Sequence, residues 1–163
     1  MTLSEFRNIF DQYYNPIKNF LYFKCGDIAL SEDLSQDVFV KLWEKRDEVN
    51  LDTVKSYVYT IANNMLLNKI RHDKVVLNFV EKHKTRQEEK SPQFALEEKE
   101  FRTRLENIIS AMPEKQRTVF LMNRIDELTY KEIAERLNLS VKAIEKRMHG
   151  ALEHLRNNLD YKI

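Results

Sequence analysis

The chain has 163 residues, 33% of them charged, with a formal net charge of +1. Two glycines and three prolines leave almost none of the turn chemistry that β-hairpins need, so an all-α fold is expected, as one medium domain or two small ones. The same two glycines, Gly26 and Gly150, exclude a P-loop or a dinucleotide fingerprint, and the lone Cys25 excludes a disulfide framework or a thiolate metal cluster.

The first helix is expected from Leu3 to about Lys24, where Phe6, Ile9, Phe10, Tyr13, Ile17, Phe20 and Leu21 recur at helical spacing. Pro16 should interrupt it, and Cys25-Gly26-Asp27 should end it. A second helix is expected from about Ser31 to Arg46, with Leu34, Val38 and Leu42 on one face and Phe39 and Trp43 beside them. A polar loop from Asp47 to Asp52 leads to a third, whose stripe is Val54, Tyr57, Val58, Ile61, Ala62, Met65 and Leu66. Its other face carries Ser56, Thr60, Asn63, Asn64, Asn68 and Arg71.

Between Asp73 and Gln93 the pattern degrades into EKHKTRQEEKSPQ, which reads as a flexible linker; VVLNFV before it either extends the third helix or docks on a partner. A new helix should begin near Phe94, with Leu96, Phe101, Leu105 and Ile108 as its apolar side. Pro113 breaks it, and Glu114 to Arg124 forms the next helix.

The stretch from Thr129 to Leu155 carries the most information. Thr129 with Glu132 three residues on is a capping box, and Ile133, Ala134 and Leu137 form the stripe of a short helix. A break at Asn138 and an N-cap at Ser140 introduce a second helix, expected to bury Val141, Ile144, Met148, Leu152 and Leu155. Its opposite edge presents Lys142, Glu145, Lys146 and His149, side chains long enough to reach base edges in a major groove. The pattern is that of a DNA-reading helix-turn-helix, although stripes and caps alone equally describe a packed helical hairpin.

Near-neutral charge is unhelpful for a free-standing DNA binder, which needs a basic excess to neutralise phosphates, so affinity must come partly from elsewhere. The four histidines fall in no metal-binding spacing, no catalytic constellation is visible, and neither an enzyme nor a cofactor is expected. The N-terminus lacks the pattern of a secretory signal, no apolar run is long enough to span a bilayer, and a single cysteine suits a reducing compartment; a cytoplasmic location is expected.

Two segments then resemble a known family. DLSQDVFVKLWEKR (Asp33–Arg46) with SYVYTIANNMLLNKIRH (Ser56–His72) is similar to the second domain of bacterial RNA polymerase sigma factors of the extracytoplasmic-function group. MPEKQRTVFLMNRIDELTYKEIAERLNLSVKAIEKRMHGALEHLR (Met112–Arg156) is similar to their fourth. The resemblance implies two small helical domains, residues 1–72 and 94–163, with 73–93 as linker. It implies core RNA polymerase and promoter DNA as partners, and an anti-sigma factor as regulator, often with a membrane protein upstream. Tethering to polymerase would replace intrinsic DNA affinity with effective concentration, which answers the charge difficulty.

Carried over position by position, the resemblance assigns Asp33, Gln36, Asp37 and Val40 to polymerase docking. The plainer alternative is that the two aspartates favour a helix N-terminus through its dipole. It assigns Asn64, Asn68 and Arg71 to the minus-ten element, with Glu48–Lys55 matching the base-capturing loop and Tyr59 a candidate for stacking on unpaired bases. It assigns Lys142, Glu145, Lys146 and His149 to the minus-thirty-five element, and leaves Arg117, Arg124 and Arg147 for phosphate or intradomain contacts. Gly150 stands where the family often has a basic residue, so a phosphate contact should be missing there and the helix weaker beyond it. Competing readings are a free-standing regulator, which would bind duplex DNA as a dimer, and a helical adaptor with no DNA role.

Overall fold

The structure is a computed structural model that describes residues 1–73 and 92–159. The described residues form seven α-helices and one 3-10 turn, with no strand: α1 (Leu3–Cys25), α2 (Ile28–Glu44), the 3-10 turn Leu51–Thr53, α3 (Val54–Asp73), α4 (Pro92–Ala111), α5 (Glu114–Arg124), α6 (Tyr130–Leu137) and α7 (Val141–Asn158). The linker reading of 73–93 and the VVLNFV segment fall almost wholly outside the described residues.

Helix α1 runs unbroken through Pro16. Proline removes one N–H and frees one carbonyl, that of Gln12, which lies on the exposed side where water can take it up. On the other side Ile9, Tyr13, Ile17, Phe20 and Leu21 are all buried, and their packing outweighs the local cost. A capping box between Thr2 and Glu5 opens the helix, and Gly26, at φ 69°, closes it in the left-handed conformation that its missing Cβ permits.

Asp27 then caps α2, which begins at Ile28, three residues before the expected start, and its carboxylate accepts from the Leu30 N–H at 3.0 Å. Leu34, Val38, Phe39 and Leu42 face inward, while Ser31 and Ser35 are buried with their hydroxyls donating to the Ile28 and Ser31 carbonyls. Five rings from α1 and α2 interlock: Phe6 meets Trp43 and Phe10 meets Phe39 edge-on, each at 5.0 Å, and Tyr14 stacks on Phe10 at 4.9 Å.

In the C-terminal half, α4 buries only part of its expected stripe. Ile108 is buried, but Leu96 and Phe101 are more than half exposed, because few elements pack beside the first turns of α4. Helix α6 carries the Thr129–Glu132 capping box and ends on Asn138 at φ 53°, as its sequence predicts. Ser140 caps α7 through the Ala143 N–H at 3.1 Å. The buried side of α7 is Ile144, Met148 and Ala151, with Leu155 half-buried; Val141 and Leu152 are exposed. At ~100° per residue those two sit roughly 60–80° off the line through Ile144, on the shoulder of the stripe. The helix continues past Gly150 to Asn158, and a Cβ at Gly150 would collide with the flexible side chain of Gln116.

The two halves are packed on each other. α1 contacts α5, α3 contacts α6, and the buried apolar residues of both belong to one continuous cluster.

Candidate polymerase and promoter interfaces

Asp33, Gln36, Asp37 and Val40 are all exposed on α2, opposite the buried line Leu34, Val38 and Leu42. Their spacing of three, four and seven puts them on one face. Val40 is 58% exposed, an apolar side chain flanked by acids and an amide. With the helix beginning at Ile28, neither aspartate lies in its first turn, so the dipole explanation fails and the carboxylates are available for a partner.

On α3, Asn64, Asn68 and Arg71 are exposed. Two other polar residues of the helix are not. Asn63 accepts from Lys24 Nζ at 2.6 Å, and Tyr59 is only 2% exposed. The Tyr59 ring meets Phe20 edge-on at 5.0 Å, and its hydroxyl accepts from Arg136 Nη1 at 3.1 Å; burial pushes the phenol up to about 12. Stacking on an unpaired base is therefore closed to Tyr59 in this arrangement.

On α7, Lys142, Glu145, Lys146 and His149 are all exposed and share one face, roughly 140° round from the buried line. Short polar side chains cap the helix before it and fix its entry angle, so the four project from a rigid support.

Arg117 and Arg124 make the intradomain contacts expected of them, and Arg117 goes further. Arg117 is 1% exposed and touches no solvent-facing surface: Nε donates to the Phe23 carbonyl and Nη2 to the Lys24 carbonyl, both at 2.9 Å, across the two halves. Nη1 donates within its own half to the Ser110 and Met112 carbonyls, at 3.1 and 3.0 Å. Burial lowers its pKa from the ordinary value, and the nearby Glu114 opposes that. Arg124 is exposed above the Phe120 ring, and Arg147 is half-buried. Around Arg117 lie further polar ties between the halves: Lys24 to Glu114 at 2.6 Å, Asn19 to Asp126 at 2.9 Å, and Lys55 to Glu135 at 3.2 Å. Sequence reading missed all of these, since each joins residues 80 to 107 apart and no local pattern marks them. No cluster of three or more metal-ligating side chains occurs among the described residues.

Comparison with known proteins decides the family. Residues 9–75 match sigma-70 region 2 and residues 102–155 match sigma-70 region 4. The chain is 27% identical over 166 residues to the ECF RNA polymerase sigma factor SigW of Bacillus subtilis, covering 94% of this chain and 88% of that one. The chain belongs to the extracytoplasmic-function group of the sigma-70 family. The ferric citrate uptake sigma factor FecI of Escherichia coli is 24% identical, over 91% of this chain and 87% of that protein. In fold, it resembles the sigma factor RpoE of Bartonella quintana, solved with the anti-sigma factor NepR: TM-score 0.69, 18% identity, 99% of this chain and all of that one. It also resembles CnrH, solved with the cytosolic domain of CnrY: TM-score 0.63, 20% identity, 97% of this chain and 89% of that one. As a sigma factor, the protein binds core RNA polymerase and directs promoter-specific transcription initiation through minus-ten and minus-thirty-five elements. None of the described helices is long and apolar enough to cross a membrane.

Proposed function

We propose that three exposed faces divide the labour of initiation. Asp33, Gln36, Asp37 and Val40 dock on polymerase; Asn64, Asn68 and Arg71 engage the minus-ten element; Lys142, Glu145, Lys146 and His149 read the minus-thirty-five element. The observation that carries this reading is that each set is exposed on one face of its helix while the opposite side is buried. Asparagine amides pair with adenine edges, lysine donates to guanine O6 or N7, and glutamate accepts from cytosine N4. The acidic and amide face of α2 suits a basic polymerase surface, with Val40 as its apolar centre.

The boundaries follow the same division: residues 1–72 for docking and minus-ten recognition, 73–93 as the connection, 94–163 for minus-thirty-five recognition. An anti-sigma factor is the regulator we assign, since a neighbour in fold, RpoE, was solved with the anti-sigma factor NepR. A cytoplasmic location, beside polymerase and promoter, goes with this role, and the action is that of an initiation factor rather than a catalyst.

The test is transcription from a promoter library by bacterial core polymerase, with and without the protein. Transcripts that appear only on its addition, sharing two spaced upstream motifs, are the expected result. Asp37→Arg should abolish them and the polymerase complex while leaving helicity unchanged; a folded Asp37→Arg protein that binds polymerase normally removes α2 from the docking site.

A further inference from the structure

We propose that the cleft between α3 and the helices α5 to α7 is a binding site for a small phosphate-bearing ligand, held by Lys115, Arg136 and Arg147. The inference does not depend on the promoter reading above.

The cleft has a volume of about 290 Å³. Ligand pockets commonly span roughly 300–1,000 Å³, so this one suits a ligand of few atoms rather than a peptide or a whole nucleotide cofactor. Leu67, Leu137 and Leu139 supply apolar lining beside the charged groups.

Charge decides the chemistry. Lys24, Lys115, Arg136 and Arg147 line the cleft against a single acid, Glu114. That acid is already committed, since Lys24 pairs with it at 2.6 Å. Three cations are left with no carboxylate of the lining to neutralise them. Asp126 and Glu132 lie within electrostatic reach of Arg136, but neither lines the cleft.

Arg147 is the telling residue. It is half-buried on α7 and has no hydrogen-bond acceptor or ion-pair partner among the described residues. A guanidinium carries five N–H donors and cannot shed its proton, so partial burial without an acceptor has a cost that a bound anion removes. Arg136, also half-buried, spends Nη1 on the Tyr59 hydroxyl at 3.1 Å and leaves the rest of its fork open. Lys115 is exposed in the first turn of α5, a helix to which Pro113 gives no side-chain cap, so the positive end of its dipole adds to the field. Asn63 accepts from Lys24 through its side-chain carbonyl at 2.6 Å, which keeps its amide N–H groups free to donate.

Two guanidiniums and an ammonium call for more charge than one carboxylate carries. A phosphate group brings nearly two charges and several acceptor oxygens, and arginine forks match its geometry. The ligand is inorganic phosphate or the phosphate end of a small organic molecule whose body meets the three leucines.

The experiment titrates the full-length chain with sodium phosphate and with phenyl phosphate, following the thermal midpoint and the heat of binding. Sodium chloride at matched ionic strength is the reference, because exposed cations attract any anion at low salt. Both phosphates should raise the midpoint saturably, with one site per chain, and chloride should not. Tighter binding of phenyl phosphate would assign an organic phosphate, equal binding the inorganic ion. Arg147→Gln should weaken binding roughly 10–100-fold, as expected for one charge-assisted hydrogen bond. It should leave the ligand-free midpoint unchanged or higher, since the arginine has no acceptor to lose. Lys131→Gln removes an exposed α6 cation that does not line the cleft, and its phosphate binding should match wild type. No saturable stabilisation beyond chloride, undiminished binding by Arg147→Gln, a lower ligand-free midpoint in that variant, or an equal loss in Lys131→Gln would each overturn the proposal.

Discussion

The N-terminal half and the C-terminal half solve the same problem, a small helical core, by different means. α1 and α2 lean on rings: Phe6, Phe10, Tyr14, Phe39 and Trp43 form one cluster along helices of 23 and 17 residues. α5 and α6 have 11 and 8 residues, lengths that are unstable alone, and they bury chiefly aliphatic and methionine side chains. Polar ties supply the rest there: the Thr129 box, the Ser140 cap, Asn123 donating to the Leu128 carbonyl, and Arg117 on four carbonyls. The docking half is therefore held by bulk and the reading half by geometry. A helix that must present four side chains to base edges needs its angle fixed, and caps fix angles better than grease does.

If this contrast holds, the largest loss should come from a ring in the first half. Phe39→Ala removes contacts to Phe6, Phe10 and Tyr14 and should cost about 3–5 kcal/mol. Denaturant unfolding followed by fluorescence of Trp43, the single tryptophan, reads this directly because Trp43 packs on Phe6 in the same cluster. A loss under about 1 kcal/mol would mean that the cluster is ornamental to stability.

Next in size is Arg117→Met, which keeps much of the volume but strands the carbonyls that the guanidinium served. Roughly 2–4 kcal/mol is expected, from about 1–3 for each buried group that stays unsatisfied, less what water recovers. Helicity measured by circular dichroism should fall at lower denaturant than the Trp43 signal, because the C-terminal half gives way first. Coincident transitions in both variants would mean that the halves unfold as one unit, and the contrast would dissolve into a single core.

Local features of the fold are legible in the sequence, and long-range ones are not. Caps, stripes and the turn at Asn138 are local, and the sequence pattern marks the starts of α6 and α7 at their caps, Thr129 and Ser140. Pro16 misled because its cost is local while the packing of Ile9, Tyr13 and Ile17 that overrides it is not. Asp27 reads from sequence as a loop residue, yet it is the N-cap of α2. The site residues could be placed on faces from spacing alone, whereas the roles of Tyr59 and Arg117 depended on partners from the other half. Leu96 and Phe101 have helical spacing yet stay more than half exposed, with little packed on them among the described residues, which periodicity does not reveal.

The smallest effects discriminate best, because each half has a capping box of identical chemistry. In both, a threonine hydroxyl accepts from the glutamate N–H, and the glutamate carboxylate accepts from the threonine N–H: Thr2 with Glu5 at the start of α1, Thr129 with Glu132 at the start of α6. Those hydrogen bonds, the backbone one foremost, hold both carboxyls below the usual glutamate value of 4.5. The folded-state value is depressed, so each box stabilises fully above pH 4.5 and loses its contribution as pH falls through the lower, folded value. Seven buried residues anchor α1, against two for α6. Glu132→Gln should therefore lower the melting temperature at neutral pH more than Glu5→Gln, and both deficits should vanish once the wild-type carboxyls are protonated. Ser140→Ala is the control: it costs about 1 kcal/mol through an uncharged cap, and that deficit should not depend on pH. Equal melting shifts for Glu5→Gln and Glu132→Gln would show that α6 leans on its neighbours as much as α1 does, and that caps are not what holds the reading half in register.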